Sequence, residues 1–381
     1  MLTRRGVAAG AWAGLLAGAS FVAGIAGNQG SPTLGGLFND FSDYWAAART
    51  LDLGGDPYDK HLLGQVLAQA GVHSTLGTGY SYPLLLAEVA RPLGLLPPLL
   101  AGALFTAGSL VGLALAVALL LSPLRRASWL EVAALATAAG LFAPVRGTLY
   151  FGQVNLVLLP LLALAFLRVG RPAALAVAAA VKLFPAAAAL AFAVEGRRGV
   201  RALLATLAAS VALAAGPNLV TGRWSYGGNL VALFEPDPYW TNQSVNGWLS
   251  RVLPAGAPET ALMVVACAAL GALAVAVAAR QRHGWPGAYA VLLCYSVVAA
   301  PKNSLWNYAP LLVVIVFTWS LVRSRPLALA LLALSWVLIN GPTGWLGGLP
   351  LAGALLLGGL LGWALLLPAR EPEPAREHAI A

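Results

Sequence analysis

Ten long apolar runs separated by short polar segments dominate this sequence. Each run has about the 17–25 residues that a helix needs to cross the hydrocarbon core of a bilayer. Backbone groups in lipid must be hydrogen-bonded within the protein, so such segments form helices or closed barrels. We therefore predict an all-α polytopic integral membrane protein with about ten transmembrane helices. The runs cover about residues 7–27, 98–121, 127–145, 151–167, 200–220, 258–279, 285–301, 305–322, 326–342 and 350–367.

Composition excludes the soluble classes of protein. Of the 381 residues, 59% are hydrophobic and only 10% are charged, whereas about 25% are charged in ordinary soluble domains. Too few polar groups remain to cover a water-facing surface of this size. The formal net charge of +9 does not indicate a nucleic-acid partner, because the basic residues lie at the ends of apolar runs, which is the membrane pattern.

The distribution of arginine predicts the orientation. Fifteen of the 23 Lys and Arg residues can share one face if the N-terminus is cytoplasmic, as the positive-inside rule requires. Both termini are then cytoplasmic, in a membrane of the bacterial cytoplasmic type. Residues 1–368 form a single transmembrane domain with two long outer loops at 28–97 and 221–257, followed by a disordered cytoplasmic tail at 369–381. Nine of the 14 acidic residues fall in the outer loops, which indicates that the outer face carries the function.

One apolar run conflicts with this orientation. Arg168 and Arg197 should both be cytoplasmic, yet a single run lies between them, and Lys182-Leu-Phe-Pro185 interrupts it. A re-entrant pair of half-helices resolves the conflict, and it places Lys182 in a polar cavity because irregular backbone at that depth must be buried or line one. The alternative is a full helix kinked at Pro185, with Lys182 snorkelling to the surface.

The outer loops contain features beyond simple connections. The stretch from Tyr82 to Leu96 predicts a short helix lying in the membrane interface. The second loop mixes aromatic rings with amides, which suits sugar binding by stacking and hydrogen bonding; the alternative is an aromatic belt at the membrane surface. These residues are Trp224, Tyr226, Asn229, Tyr239, Trp240, Asn242, Gln243, Asn246 and Trp248.

Asp40 is the candidate catalytic carboxylate. It follows the first run, where a carboxylate at the membrane surface could deprotonate an acceptor hydroxyl. Asp43 lies three residues on, so both side chains can share one helix face, and Asp43 is a second acidic candidate. The structural alternative is that Asp40 caps a helix over residues 41–50. Two carboxylates alone make a poor metal site, so we predict no metal site, although the need for a divalent ion stays open.

Several Lys and Arg residues are exceptions to the positive-inside pattern. Arg146, Arg251 and Lys302 sit at run ends on the outer side, and Lys182 lies within the membrane. A phosphate at the lipid headgroup level is their natural partner. A carboxylate beside a phosphate-binding cavity suits the transfer of a sugar from a lipid phosphate, with the cations stabilising the leaving phosphate.

Four stretches carry a resemblance to a known family. They are Asp40-Phe-Ser-Asp-Tyr44; Gly55-Asp-Pro-Tyr58 with Tyr82-Pro83; Gly152-Gln-Val-Asn155 with Lys182-Leu-Phe-Pro185; and Asn242-Gln-Ser244, which runs to Arg251. In order and spacing the set resembles glycosyltransferase family 87, the multispanning GT-C mannosyltransferases that use polyprenyl-phosphate mannose. The resemblance covers about residues 35–310.

The resemblance implies a GT-C-like helical bundle in which Asp40 is the catalytic base. Our hypothesis for the mechanism assigns roles to the other residues, and one carboxylate with an in-line displacement implies inversion at the anomeric carbon. Lys182, Arg146, Gln153, Asn155, Arg251 and Lys302 bind the donor phosphate or sugar, although Gln153 and Asn155 could instead join helices by hydrogen bonds. Tyr44, Tyr58, Tyr82, Asn242, Gln243, Trp248 and Asn307 contact the sugar or the acceptor. The family's His after Ser-Pro-x-Ser-Trp is absent, and Asn307 lies near its place.

The expected partners are a polyprenyl-phosphate sugar, a glycolipid or glycan acceptor of the cell envelope, and membrane lipids, with no cofactor and no nucleic acid. The chain contains no P-loop, GxGxxG, HExxH or CxxC motif. A competing interpretation is a transporter or lipid flippase with a midplane site at the Lys182–Pro185 break. A non-catalytic assembly subunit is a third.

Overall fold

The computed structural model describes residues 2–27, 37–72, 79–223, 235–254, 256–342 and 348–367. Within these ranges the regular structure is helical, apart from one isolated bridge between Asn242 and Ser304. The predicted all-α class is therefore confirmed. The helices are α1 (Arg4–Gly27), α2 (Asn39–Asp52), α3 (Lys60–Gln69), α4 (Leu84–Gly94), α5 (Pro98–Leu121), α6 (Trp129–Gly140), α7 (Ala143–Phe151), α8 (Asn155–Phe166), α9 (Arg171–Val181), α10 (Pro185–Ala188), α11 (Gly196–Thr221), α12 (Val245–Val252), α13 (Ala257–Arg280), α14 (Trp285–Val298), α15 (Leu311–Val322), α16 (Pro326–Ile339) and α17 (Leu349–Leu366), with 3-10 turns at Ala189–Glu195 and Leu305–Tyr308.

Every predicted apolar run contains an apolar helix, but the helices differ in length. Among the described residues, five stretches are long and apolar enough to cross a membrane, and α6 with α7 forms a sixth that is bent by 40°. The apolar helices α8, α9, α14, α15 and α16 have only 10–17 residues. The prediction of about ten spans is therefore not settled by helix length. Hydropathy did not reveal the bend between α6 and α7 because Leu141 and Phe142 are themselves apolar.

Small residues let the helices around the site pack closely. A side chain on Gly10 of α1 would lie 2.2 Å from the carbonyl oxygen of Ala114, and one on Gly112 would lie 2.3 Å from the carbonyl oxygen of Leu156. Because the driving force between helices in lipid is packing, glycines at such contacts stabilise the bundle. The second contact holds α8, which begins at Asn155, against α5.

Around Lys182 the helix breaks and the chain turns back on itself. α9 ends at Val181, Lys182 is extended (φ −145°, ψ 122°), and α10 begins at Pro185. The chain folds back at Gly196, whose φ is 68°. Arg171 at the start of α9 pairs with Glu195 at 2.6 Å. The start and the end of the segment therefore lie side by side, and Lys182 lies at its tip.

The segment between α1 and α5 forms a compact unit on the bundle. α2 packs against α4, where Trp45 Nε1 donates to the carbonyl of Leu96 at 2.9 Å. Arg91 of α4 pairs with Asp52 of α2 at 2.8 Å. The stretch predicted as an interfacial helix is α4. Residues 28–36 and 224–234 of the two outer loops lie outside the described residues, as does the predicted tail at 369–381.

One structural alternative for Asp40 was wrong. α2 begins at Asn39 after Phe38, which lies in the left-handed region (φ 63°) and makes no side-chain cap. Asp40 is therefore in the first turn and is not the N-cap. The helix dipole at this end favours its negative charge.

Candidate functional site

Asp40 is held by two side-chain amides. Gln153 Nε2 donates to Oδ2 of Asp40, and Asn39 Nδ2 donates to Oδ1 at 3.3 Å. Burial raises the pKa of the Asp40 carboxyl above its ordinary value, while the bonds from Gln153 and Asn39 and the charge of Lys182 lower it. The opposing effects describe a carboxylate that is desolvated but held in a fixed orientation, as a general base requires.

Gln153 connects Asp40 to three further donors. Its Oε1 accepts from Tyr82 Oη at 2.7 Å, from Tyr44 Oη at 3.2 Å and from Lys182 Nζ at 3.2 Å. Because these donors converge on one oxygen, the amide nitrogen must face Asp40. A single amide group therefore separates the carboxylate from the ammonium.

The backbone conformation at position 152 explains why a glycine precedes Gln153. Gly152 has φ 68°, in the left-handed region, and a side chain there would meet Phe41 Cβ at 2.5 Å. Only glycine combines this conformation with so close an approach. The Gly152-Gln153 pair thus ends α7 against α2 and brings the amide to Asp40.

Lys182 is surrounded by amide oxygens. Nζ donates to Asn307 Oδ1 at 2.6 Å and Asn155 Oδ1 at 2.9 Å, besides Gln153. Asn155 Nδ2 in turn donates to Asn307 Oδ1 at 3.0 Å. Within the described residues, no ion pair joins Lys182 to a carboxylate. The ammonium is therefore oriented by neutral oxygens, and its positive charge remains available to an anion.

A cavity of about 410 Å³ opens beside this ammonium. Lys182 and Lys302 supply two positive charges, and Asn303, Asn307 and Tyr82 supply further polar groups to its wall. Its volume is within the usual range for small-molecule sites. Asp40 lies on the other side of the Gln153 amide. The site thus has a cationic chamber next to a carboxylate.

Asp43 lies beside Asp40 on the same face of α2. Among the described residues its Oδ1 has no hydrogen-bond partner, and its carboxylate accepts the backbone N–H of Gly79. Burial, together with the negative charge of Asp40, raises the pKa of Asp43 to about 7. The pair therefore holds a proton more readily than two solvent-exposed carboxyl groups would. Within the described part of the chain, no group of three His, Cys, Asp or Glu residues could hold a metal ion.

The predicted tyrosines pack around the amide of Gln153. The rings of Tyr44 and Tyr82 meet edge to face at 4.9 Å, and Lys182 Nζ lies 5.7 Å from the centre of the Tyr82 ring. Tyr58 stands behind them and donates to the carbonyl of Tyr82 at 2.9 Å. The structure therefore brings Tyr44 and Tyr82 to the site, with Tyr58 as a support.

The Asn242 loop supports the site from outside the cavity. Asn242 Oδ1 accepts from the backbone N–H of Asn303 at 3.1 Å, and Tyr308 Oη donates to the carbonyl of Gln243 at 2.6 Å. Arg251 donates to the carbonyls of Tyr239 and Asn242. These bonds anchor residues 301–308, which carry Lys302 and Asn307.

Of the predicted site residues, Tyr82, Lys182, Lys302 and Asn307 line the cavity, and Arg146, Trp248 and Arg251 are among those that do not. Arg251 is engaged by the loop, Arg146 is exposed on α7, and Trp248 is 45% exposed. Conversely, the wall includes Tyr295 and Asn303, which the sequence did not single out. Asn303 could have been found from its place between Lys302 and Asn307. Nothing in the sequence distinguishes Tyr295 from a core aromatic residue.

The fold and the site define a class of protein. Apolar helices of spanning length and a helical bundle with few charges identify an integral membrane protein, and a carboxylate beside a cationic chamber is an arrangement suited to group transfer. The family model of glycosyltransferase family 87 matches residues 80–305. The chain belongs to this family.

One curated relative matches over part of its length. The polyprenol-phosphate-mannose-dependent alpha-(1-2)-phosphatidylinositol mannoside mannosyltransferase of Mycolicibacterium smegmatis is 30% identical over 239 residues, which are 54% of this chain and 51% of the relative. The match thus spans about half the length of that relative. No solved structure matches the chain.

Proposed function

We propose that this protein is a membrane glycosyltransferase that moves a mannosyl group from a polyprenyl-phosphate mannose to a hydroxyl group on the extracytoplasmic side of the membrane. The observation that carries the proposal is the Gln153 amide, which donates to Asp40 and accepts from Lys182. It joins a candidate base to a candidate phosphate site across one side chain. The family match and the printed name of the relative support the same chemistry.

The proposed reaction is a single displacement. The acceptor oxygen attacks the anomeric carbon while the bond from that carbon to the phosphate oxygen breaks, and the electron pair leaves with the polyprenyl phosphate. Lys182 and Lys302, which line the cavity, stabilise the negative charge on the leaving phosphate. Asp40 takes the proton of the acceptor hydroxyl. One displacement without a covalent enzyme intermediate inverts the configuration at the anomeric carbon.

A glycolipid hydroxyl is the proposed acceptor. The relative's name specifies a phosphatidylinositol mannoside, and such an acceptor reaches the site from the membrane surface. Asp40 lies in the first outer segment, and the arginine distribution favours the extracytoplasmic side for that segment. The termini would then be cytoplasmic.

The direct test is a transfer assay in proteoliposomes that contain the purified protein. Polyprenyl-phosphate mannose with a radiolabelled sugar is supplied with phosphatidylinositol mannosides, and labelled glycolipid is measured. The proposal predicts a labelled product with inverted anomeric configuration. Donor that crosses the bilayer without forming product would favour a flippase, and retained configuration would exclude the single displacement.

The Gln153 hydrogen bond predicts the direction of a pH shift. Because this bond lowers the pKa of Asp40, Gln153→Leu should raise that pKa. A base acts when deprotonated, so the acidic limb of the kcat profile should move to higher pH. Asn155→Leu removes a partner of Lys182 but none of Asp40, and it should leave the limb in place. An unchanged limb in Gln153→Leu would show that the amide does not control Asp40.

A further inference from the structure

A second cationic cavity lies at the far end of α5 from the candidate site. Near the start of α5, a side chain added to Gly102 would meet the ring of Phe38, which adjoins α2. At the other end of α5, one added to Gly6 in the first turn of α1 would meet Ser122. From Gly102 to Ser122 the helix rises about 30 Å at 1.5 Å per residue, which is the thickness of the hydrocarbon core. The second cavity, beside Ser122, therefore lies at the end of the bundle opposite Asp40.

Arginines line this second cavity on two sides. Its volume is about 290 Å³, and it lies between the turn that joins α5 to α6 and the end of α15. Arg125 and Arg126 line it from the turn, and Arg323 lines it from the end of α15. Leu124 and Trp319 add apolar surface. The wall thus combines three positive charges with apolar side chains in a space that can admit a small polar group.

The protein neutralises these charges only in part. Arg323 Nη1 lies 3.8 Å from Oε1 of Glu131 and donates to the carbonyl of Arg126 at 3.4 Å. Within the described residues, Arg125 and Arg126 form no ion pair. One carboxylate therefore faces three guanidinium groups, and the cavity keeps a net positive charge that an anion can neutralise.

Arg5 adds a fourth guanidinium group beside the cavity. It packs 4.7 Å from the centre of the Trp129 ring, and Glu131 lies within electrostatic range of both Arg5 and Arg323. Nε and Nη2 of Arg5 are buried and have no hydrogen-bond partner among the described residues. Because buried donors without acceptors are costly, this corner of the molecule lacks acceptor oxygens as well as negative charge. A phosphate group supplies both.

Exposed apolar side chains beside the cavity indicate where the anion comes from. Trp129 is 64% exposed and Leu130 is 80% exposed. Both lie at the start of α6, which forms a bent apolar span with α7, and Trp at the end of a span is typical of the lipid headgroup region. A phospholipid presents its phosphate at this depth and its acyl chains to such side chains. A soluble phosphate would meet the arginines but would leave the apolar neighbours uncovered.

We propose that the cavity between the α5–α6 turn and the end of α15 binds the headgroup of an anionic phospholipid. The phosphate lies between Arg125, Arg126 and Arg323, where guanidinium groups donate paired hydrogen bonds to its oxygens. The acyl chains lie along Trp129 and Leu130. This site is separate from the candidate active site, and the inference does not depend on the proposed function.

Lipid binding to the purified full-length protein in detergent tests the site. The probes are dioleoylphosphatidylglycerol and dioleoylphosphatidylcholine, which have the same acyl chains but differ in net charge, and native mass spectrometry measures Kd for each. We expect the anionic lipid to bind wild type about tenfold more tightly, which corresponds to about 1.4 kcal/mol. Replacing Arg125 and Arg126 together with Gln should abolish this preference. Equal Kd values for the two lipids in wild type would overturn the proposal.

The matched control is the joint replacement of Arg197 and Arg198 with Gln. These adjacent arginines at the start of α11 are likewise exposed, but they do not line the cavity, so the tenfold preference should remain. The same loss in both double variants would indicate a general attraction to basic surface and would overturn the proposal. Inorganic phosphate at the concentration of the lipid should not displace it. Displacement would assign the cavity to a soluble phosphate and would also contradict the lipid site.

Discussion

Replacing Asp40 with Asn should reduce mannosyl transfer by about 10²–10⁴-fold, the usual contribution of a general base. Asn has nearly the same shape as Asp, and its side-chain oxygen can still accept the Gln153 amide that now bonds to Asp40. The fold and the donor site should therefore remain, and the loss should lie in kcat more than in KM. The measurement is the initial rate of labelled glycolipid formation at saturating donor.

Asp52→Asn is the matched control, because Asp52 lies in the same helix but pairs with Arg91 away from the site. It should retain near-wild-type transfer, since exposed ion pairs contribute only about 0–1 kcal/mol. Asp43→Asn should lose less activity than Asp40→Asn. If Asp43→Asn were inactive and Asp40→Asn active, the role of the base would pass to Asp43.

Replacing Lys182 with Met should lower kcat/KM by about 10²–10³-fold, as expected when one preorganised group is removed from a developing negative charge. Lys182 Nζ supplies its charge at the cavity wall and contacts Asn155, Asn307 and Gln153. Inhibition by free polyprenyl phosphate should weaken in parallel, because the same charge binds the leaving group. Initial rates over a range of donor concentrations measure the first effect, and inhibition constants measure the second.

Stability must be separated from chemistry in this variant. Loss of the ammonium leaves amide oxygens of Asn155 and Asn307 without this donor, which costs about 1–3 kcal/mol. Lys60→Met, at an exposed site on α3, should change neither activity nor inhibition. A Lys182→Met protein that keeps the wild-type inhibition constant would place the phosphate elsewhere.

The sequence predicted much of the fold because hydropathy determines where the chain can lie in a membrane. The all-helical class and the family were both confirmed. At the predicted break between Lys182 and Pro185, α9 ends and the chain turns back on itself. The lengths of the helices were less predictable. The run at 127–145 reads as continuous, yet the helix bends at Leu141 and Phe142, which are as apolar as their neighbours.

The site was predictable in its residues but not in their connections. Lys182 is recognisable as a charge within an apolar run, and Asp40 as the first residue of a sequence motif. Gln153 was predicted to bind donor phosphate or sugar, but its bonds to Tyr44, Tyr82 and Lys182 join residues between 29 and 109 positions apart. No local sequence pattern predicts hydrogen bonds between residues so far apart in the chain. In the same way, Arg251 looks like a phosphate ligand in sequence, while in the structure it bonds to the carbonyls of its own loop.

A structure of the protein with polyprenyl-phosphate mannose bound would measure the arrangement directly. A hydroxyl oxygen within about 3–3.5 Å of the anomeric carbon and within about 3 Å of the base requires the Asp40 carboxylate to lie about 6 Å or less from that carbon. We expect this distance, with the donor phosphate in contact with Lys182 Nζ. A phosphate bound away from Lys182, or an anomeric carbon more than about 10 Å from Asp40, would contradict the proposed site.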